Sequence, residues 1–255
     1  MISFPTRLSE IYQRLENIDP EKYSHTRNYV DGAVTYLSPY ISRGVISTKT
    51  VFNYLLEENY PFETIEKYVQ ELAWRDYWQQ VWVHKKSAIN TDLKSPQQEV
   101  QHYEIPTAIL TKSTNIKAID VAIQALEDTG YMHNHMRMYA AAAICNVGKS
   151  HWLNPARWMY YHLLDGDWAS NALSWQWVAG SNASKKYYAN QANINAFFYS
   201  DQRNTFLDSD YDVLVNRPCP NALVPTTLPP LKTVLPAPKT LVIIPNEPIL
   251  VYNYY

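Results

Sequence analysis

The placement of proline constrains this chain more than any other feature of its sequence. Nine of the 16 prolines lie between Pro218 and Pro248. Each proline removes a backbone donor and clashes with the turn before it, so a long helix cannot cross this stretch. We therefore predict one folded domain over residues 1–205. Residues 206–255 are expected to be a proline-rich linker or tail, or the start of a further domain, with two strands in the apolar runs of TLVIIPNEPILVYNYY.

Residues 1–205 carry helical rather than strand patterning, and we predict an all-α fold. Only six glycines occur in the whole chain. Large side chains recur at helical spacing, as in the line of Trp74, Trp78 and Trp82. Further helices are expected over 116–126 with Gly130 as the C-terminal cap, over 132–147, from Asn154 as N-cap to 164, and after Asp167 as N-cap.

Composition excludes several classes of protein. Hydrophobic residues make up 46% of the chain and its formal net charge is −2, which is typical of a globular chain and not of a disordered one. Two cysteines are too few for a disulfide scaffold. We find no run of 18 apolar residues and no signal-peptide core, so we expect no membrane span and a cytoplasmic location. The near-neutral charge argues against a strong non-specific field for nucleic acid but leaves room for a local basic groove.

Three familiar motifs are ruled out by their spacing. Gly148-Lys149-Ser150 looks like the end of a P-loop, but position 143 is alanine where that loop needs glycine. His133 and His135 are two residues apart, so they do not share a helix face, and no third ligand follows at a suitable spacing. No GxGxxG follows a strand. We therefore predict neither a metal site nor a Rossmann-type nucleotide site.

Four polar clusters interrupt the helical segments, at 35–40, 71–75, 132–138 and 165–177. Taken singly, each can be explained as surface ion pairs beside an aromatic core. Arg137 is harder to explain in this way, because it lies in a run of alanine and methionine where an unpaired guanidinium is costly. It needs a carboxylate, for which Asp165 and Asp167 are candidates. Glu71 and Arg75 have the i, i+4 spacing of a helical ion pair.

Together these clusters resemble the helical FAD-binding domain of the photolyase/cryptochrome family. The resemblance rests on ELAWRDYW (71–78), YMHNHMRM (131–138) and LLDGDWASNALSWQWVAG (163–180), and it extends over residues 23–198. It implies an all-α domain that encloses FAD without a covalent bond. The family carries an antenna domain before the helical one, and because only 22 residues precede Tyr23 we expect that domain to be missing at the N-terminus. Because the terminal PILVYNYY resembles that domain's first strand, we expect a rearranged architecture with an antenna-like domain after the linker.

The resemblance also implies where FAD is bound. Tyr23 and the stretch Val34 to Ser38 are expected at the phosphates and ribityl chain, and Arg137 and Asp165 against the isoalloxazine ring. Asn171 is expected to face flavin N5. The implied cofactor-binding residues are Tyr23, Val34, Thr35, Tyr36, Leu37, Ser38, Tyr68, Glu71, Arg75, Asn134, Arg137, Asp165, Gly166, Asp167 and Asn171.

Two tryptophans resemble the inner members of the family's electron-transfer chain. Trp175 and Trp152 occupy those positions, although simple core packing explains them equally well. The outermost member falls near 99–103, where this sequence has no tryptophan. Tyr103 is a possible substitute there.

The reaction implied by the resemblance is light-driven repair of cyclobutane pyrimidine dimers in DNA. Trp74 is expected to stack on the dimer, with Asn134 and Met138 in contact with it. The implied catalytic residues are Trp74, Met138, Asn171, Trp152 and Trp175. The implied DNA-binding residues are Arg27, Arg75, Asn134, His135, Lys185 and Lys186. A blue-light photoreceptor of cryptochrome type without repair activity is the alternative, and a structural relic that binds neither flavin nor DNA is a third. The oligomeric state stays open.

Overall fold

A computed structural model describes residues 3–229 of the chain. Its helices are α1 Leu8–Glu16, α2 Pro20–Thr26, α3 Ser38–Ser42, α4 Thr48–Glu57, α5 Phe62–Lys85, α6 Thr107–Leu110, α7 Lys117–Thr129, α8 Asn134–Ala142, α9 Leu153–His162, α10 Trp168–Ala179, α11 Gln191–Phe198 and α12 Tyr211–Asn216. Two short strands, β1 Ile105–Pro106 and β2 Thr226–Thr227, pair antiparallel. The predicted all-α class is confirmed.

Helix α5 joins two hydrophobic cores. Near its start, Ile65, Tyr68 and Leu72 are buried with side chains of α1, α3 and α4. Near its end, Trp78 and Trp82 pack against the larger core built from α6 to α12. The aromatic line predicted at helical spacing thus lies on one long helix, and the space between the two cores opens along that helix.

Capping residues set the ends of two helices as predicted. The Asp167 side chain accepts the backbone N–H of Ser170 at the start of α10, as an N-cap carboxylate should. Gly130 ends α7 in the left-handed conformation, with φ +72°, where a Cβ is disfavoured. The helix predicted over 132–147 is present as α8 followed by a π-helical turn at Ala143–Val147.

The predicted Asn154 cap is wrong. Helix α9 begins at Leu153, one residue earlier, so Asn154 lies inside its first turn. The Leu153 N–H donates to His151 Nδ1 at 3.3 Å, which satisfies one of the free donors of this helix start. The Asn154 amide donates instead to the backbone oxygen of Tyr103 at 2.8 Å. A long-range contact therefore outweighs the local capping preference.

The first part of the predicted tail packs on the helical core. Leu207, Leu214 and Leu223 are buried in the same core cluster as α6 to α11, and β2 pairs with β1. Proline excludes a long helix here, yet it permits a six-residue helix before Pro218 and an edge strand after Pro225. The division of the chain at residue 205 stays a prediction, and the two strands expected in 240–255 lie outside the described residues.

No helix within residues 3–229 is both long enough and apolar enough to cross a membrane. The same residues contain no group of three or more His, Cys, Asp or Glu side chains that could hold a metal ion.

Candidate FAD-binding cavity

A cavity of about 750 Å³ lies between the two cores, within the range of roughly 300–1,000 Å³ that is usual for ligand sites. Its walls come from α2, the loop before α3, the middle of α5, the start of α8 and most of α10. Eighteen residues predicted for the site line it: Tyr23, Arg27, Val34, Thr35, Tyr36, Ser38, Tyr68, Glu71, Trp74, Arg75, Asn134, His135, Arg137, Met138, Asp165, Asp167, Asn171 and Trp175.

Arg137 and Asp165 form a buried ion pair on one wall. The Arg137 Nη2 donates to both carboxylate oxygens of Asp165, at 3.0 and 2.9 Å. The Arg137 Nε donates to the backbone oxygen of Met132 at 2.8 Å. Only 20% of the arginine side chain and 7% of the aspartate side chain are exposed. Of the two carboxylates considered for Arg137, the fold pairs it with Asp165, and this pair holds the arginine at the cavity wall.

Asp167 ties α5 to α10 across the cavity. One carboxylate oxygen lies 3.3 Å from Arg75 Nη2, and the other accepts the side-chain amide of Gln79. The Ser170 hydroxyl donates to the same carboxylate at 2.9 Å. The helical pair expected between Glu71 and Arg75 is wrong, because Arg75 turns to the buried Asp167 instead.

Glu71 faces Arg27 rather than Arg75. Its Oε1 lies 3.8 Å from Arg27 Nε. Burial at the cavity wall raises the pKa of Glu71, and the Arg27 and Lys67 charges oppose that rise. The Glu71 carboxylate on α5 thus faces the positive charge of Arg27 at the end of α2. Arg27 and Arg75 therefore each pair with an acid from a different helix or helix end.

Aromatic side chains close the opposite end of the cavity. The Tyr68 hydroxyl donates to Thr35 Oγ1 at 3.2 Å, and the rings of Tyr23 and Tyr68 lie 4.7 Å apart. Burial raises the pKa of Tyr68 to about 12, so its hydroxyl stays a donor at neutral pH. Tyr36 has φ +53°, a left-handed conformation that is unusual for a large side chain, and it places the ring 5.2 Å from that of Tyr131.

The wall formed by α10 presents an amide and an indole. Asn171 Nδ2 donates to the backbone oxygen of Ala156 at 2.8 Å. This bond fixes the orientation of the side-chain amide. Trp175 is 2% exposed and lines the cavity. Trp152 does not line the cavity; it lies fully buried in the same core, with its indole N–H donating to Asp92 Oδ1 at 2.7 Å.

The rim of the cavity is aromatic and half exposed. Trp74 has 51% of its surface exposed and stacks on Trp78, with ring centroids 5.1 Å apart and planes inclined by 26°. Trp177 lies 5.5 Å from the ring of Tyr187 on the α10 side. Sequence reasoning missed Trp78, Trp177, Tyr187 and Tyr131 as lining residues. The first of these was detectable, because it lies one helical turn after Trp74.

Besides Trp152, four residues predicted for the site lie outside the cavity lining. Leu37 is 1% exposed and belongs to the smaller core. The backbone of Gly166 packs against Tyr160, where an added Cβ would lie 3.2 Å from the ring. Lys186 is held by Glu99 at 2.8 Å and by the Gln98 backbone oxygen. Lys185 is an exposed side chain of the loop after α10.

His135 lines the cavity but is poorly suited to bind phosphate as a cation. Its Nδ1 lies 3.0 Å from the Asn28 backbone oxygen. Burial lowers its pKa, and the Arg27 charge adds to this effect. A neutral imidazole at physiological pH offers a hydrogen bond to phosphate but no charge.

This architecture defines a helical, ligand-binding domain with a cavity lined by arginine–carboxylate pairs and rings. Residues 68–208, more than half of the chain, match the family described as FAD binding domain of DNA photolyase. The chain therefore belongs to the photolyase/cryptochrome family.

Known proteins support this assignment over part of their length. A deoxyribodipyrimidine photo-lyase of Streptomyces griseus is 31% identical over 156 residues, which cover 60% of this chain and 34% of that protein. The fold resembles a class III photolyase from Agrobacterium tumefaciens, with TM-score 0.65, 23% identity and coverage of 74% of this chain and 42% of that one. It also resembles a cryptochrome from Synechocystis, with TM-score 0.66, 22% identity and coverage of 77% and 44%. The chain spans about a third of the length of the curated relatives it matches.

The cavity fits FAD, the cofactor of this family's helical domain. Its volume of about 750 Å³ is within the range of ligand sites. Three arginines line it (Arg27, Arg75 and Arg137), each beside a carboxylate, and offer charged donors to a dinucleotide. The hydroxyls of Thr35 and Ser38 and the amide of Asn171 supply neutral polar groups. Large rings at the rim and at the closed end suit a planar ring system.

Proposed function

We propose that this protein carries out light-dependent, FAD-mediated repair of cyclobutane pyrimidine dimers in DNA. The observation that supports this most is the joining of two features in one cavity: an interior with buried ion pairs that fits FAD, and a half-exposed tryptophan rim that fits bases. When bound, reduced flavin supplies one electron to the dimer after light absorption and recovers it when the cyclobutane ring has split.

The chain's own residues bind, orient and exclude water. Arg137 and Asp165 hold one face of the flavin site, while Asn171 offers its amide to the ring edge. Trp74 stacks on a flipped-out dimer, and Asn134 and Met138, both on α8, contact it from the other side. Trp175 and Trp152 pass electrons that bring the flavin to its reduced form. Both cysteines are free, which agrees with a reducing compartment such as the cytoplasm.

A blue-light photoreceptor without repair activity is the second candidate function. It is favoured by the weak cationic character of the rim. Arg27 faces Glu71, His135 is neutral by burial, and Lys186 is held by Glu99. Among the residues predicted to contact DNA, these three thus offer little unpaired positive charge to DNA phosphates. Each such contact contributes only a modest, salt-sensitive part of affinity.

One experiment distinguishes these functions. The purified full chain is loaded with FAD, reduced by blue light and incubated with an oligonucleotide that contains a pyrimidine dimer, in light and in darkness. Repair requires that dimers disappear only in the light. Bound flavin that is reduced by light while dimers persist would favour the photoreceptor.

A variant of the rim tests how the dimer is held. Trp74→Ala is expected to weaken dimer binding by about 5- to 150-fold, because stacking of one base on an aromatic side chain contributes about 1–3 kcal/mol, and to leave the flavin absorbance unchanged. Phe62→Ala is the matched control, since Phe62 is similarly exposed (59% against 51%) on the same helix but does not line the cavity. Equal affinity of the two variants for the dimer would show that Trp74 does not contact it.

A further inference from the structure

A second cavity lies beside the FAD cavity and has no part in the function proposed above. Its volume is about 650 Å³, which is also within the usual range of ligand sites. Its walls come from α7, from residues 131–136 at the start of α8, from the end of α11 with the residues after it, and from the loop before α3. Of the residues that the sequence predicted for the site, Tyr36 alone lines it.

Two tyrosine rings are shared by the two cavities. Tyr36 and Tyr131 line both of them, and their ring centroids are 5.2 Å apart with planes inclined by 61°. Phe4 packs on the same pair, with its ring centroid 5.8 Å from that of Tyr131. The pair is thus part of both walls, so a molecule in the second cavity would lie next to FAD without taking its place.

The side chains that line the second cavity suit an aromatic ligand. Ala118, Ala122 and Ala125 follow one another at helical spacing along one face of α7 and all line the cavity. Their small side chains leave space beside the helix. Met136 and Phe198 line the same cavity, and thioether and aromatic groups both make favourable contacts with aromatic rings.

The mouth of the second cavity exposes apolar side chains but little net charge. Val121 and Tyr199 line it and are 60% and 62% exposed, and exposed apolar side chains that cluster at a cavity are typical of a binding site. Among the described residues, Lys117 and Asp201 are the acidic and basic side chains that line it, and both are exposed. Because the two charges are opposite in sign and lie in water, the interior favours an uncharged ligand.

His133 supplies the cavity with a hydrogen-bond donor that has no acceptor. The residue lines the cavity and is only 8% exposed. Its Nδ1 accepts the backbone N–H of His135 at 3.2 Å, and burial lowers its pKa to about 4. The ring is therefore neutral at pH 7, with its one proton on Nε2.

The buried Nε2–H of His133 is left unsatisfied by the described part of the chain. The backbone oxygens of Arg27 and Tyr29 act on the ring electrostatically, but none of the described residues forms a hydrogen bond with Nε2. A buried donor without an acceptor is unfavourable and rare in folded proteins. A ligand with an acceptor oxygen in the cavity would satisfy it.

We propose that this cavity binds an uncharged, planar aromatic molecule that carries a carbonyl oxygen. The alanine face of α7, Met136 and Phe198 contact its rings, and the His133 Nε2–H donates to the carbonyl oxygen. The Tyr36–Tyr131 pair separates this molecule from FAD. The site is distinct from the FAD cavity, so the proposal holds whether the protein repairs DNA or senses light.

The test is equilibrium dialysis of the full chain against xanthone and xanthene, with and without FAD. Both probes are uncharged three-ring molecules, and they differ at a single carbon, which is a carbonyl in xanthone and a methylene in xanthene. The wild type is expected to bind one xanthone per chain, and added FAD is expected not to displace it. Absence of xanthone binding, or displacement by FAD, would overturn the proposal.

Two matched substitutions locate the site. Val121→Trp fills the mouth of the cavity and is expected to weaken the binding of both probes by about 10-fold or more. Val83→Trp is the control, because Val83 is 70% exposed on α5 and lines neither cavity, and it should bind both probes as the wild type does. Equal affinities of the two variants for xanthone would place the bound probe elsewhere.

His133→Phe tests the proposed hydrogen bond. It keeps a ring against Phe198 but removes the donor, so it should weaken xanthone binding by about 5-fold, the effect of one neutral hydrogen bond, and leave xanthene binding unchanged. An equal change for both probes would show that His133 does not bind the carbonyl oxygen. Far-ultraviolet circular dichroism checks that each variant is folded, and if His133→Phe is not, the comparison of Val121→Trp with Val83→Trp still decides whether this cavity is the site.

Discussion

The substitution Asp165→Ala tests whether the buried pair with Arg137 holds the cavity. It removes two hydrogen bonds, at 3.0 and 2.9 Å, and leaves an arginine side chain that is only 20% exposed without its carboxylate partner. Breaking a buried pair from one side costs about 3–5 kcal/mol. Because Arg137 Nε keeps its bond to the Met132 backbone oxygen, we expect the lower part of this range, about 3–4 kcal/mol.

Urea denaturation and flavin absorbance measure the two consequences separately. With a slope near 3 kcal/mol per molar, the unfolding midpoint should fall by about 1 M urea. Flavin should be lost in the same variant, since the arginine is no longer held in place. In the double variant Arg137→Met/Asp165→Leu, apolar side chains replace the pair, so most of the stability should return while flavin stays absent.

A more exposed ion pair, which does not line the cavity, provides the control. Lys112 and Glu127 lie 2.6 Å apart, with 27% and 25% of their side chains exposed. Glu127→Ala is expected to cost no more than about 1 kcal/mol and to keep flavin. The reasoning fails if Asp165→Ala unfolds at the wild-type urea concentration, or if it retains flavin at full occupancy.

Three further predictions concern other parts of the chain. Trp175→Phe should keep flavin but slow its reduction by light, measured as bleaching under blue light; unchanged kinetics would exclude Trp175 from the electron path. Gly130→Ala should lower the free energy of unfolding by about 1–2 kcal/mol more than Gly44→Ala, measured by thermal unfolding. Both glycines have φ +72°, but only at Gly130 would a Cβ meet another side chain, Leu164 Cγ at 2.6 Å. Equal losses of stability in the two variants would contradict the steric argument. Burial lowers the pKa of His133 to about 4. As the pH falls, this histidine therefore takes up a proton in the unfolded chain at a higher pH than in the folded chain. The free energy of unfolding should consequently decrease between pH 6.5 and 4, by on the order of 2–3 kcal/mol. His133→Gln should flatten that part of the pH profile, and a profile identical to that of the wild type would show that another group is responsible.

Local sequence signals predicted elements well where the decisive contacts are local. Asp167 caps α10 through a backbone N–H three residues away, and Gly130 ends α7 because of its own backbone angle. Asn154 looked equally convincing as a cap, but its amide is bound to Tyr103, some fifty residues earlier. A capping preference of about 1 kcal/mol is easily outweighed by such contacts, and nothing in the local sequence shows them.

The candidate site shows the same difference between what short segments and what long-range contacts determine. Eleven of the eighteen predicted lining residues lie in the three motifs, and they were predicted from the family resemblance of those motifs. The partners within the cavity were not predictable in this way. Glu71 and Arg75 have ideal helical spacing, yet they face Arg27 and Asp167, since a buried carboxylate on another helix attracts an arginine more strongly than an exposed one on its own.

The all-α class could be predicted from the sequence, because helical periodicity and capping are properties of short segments. The family resemblance of three motifs implied the set of site residues, of which eighteen line one cavity. Only the tertiary structure decided that α5 joins two cores, that Leu207, Leu214 and Leu223 bring the start of the proline-rich segment into the main core, and that Tyr103 stacks on His151 above Trp152. These contacts join segments far apart along the chain. Their energies depend on distance and burial after folding, which no local pattern encodes.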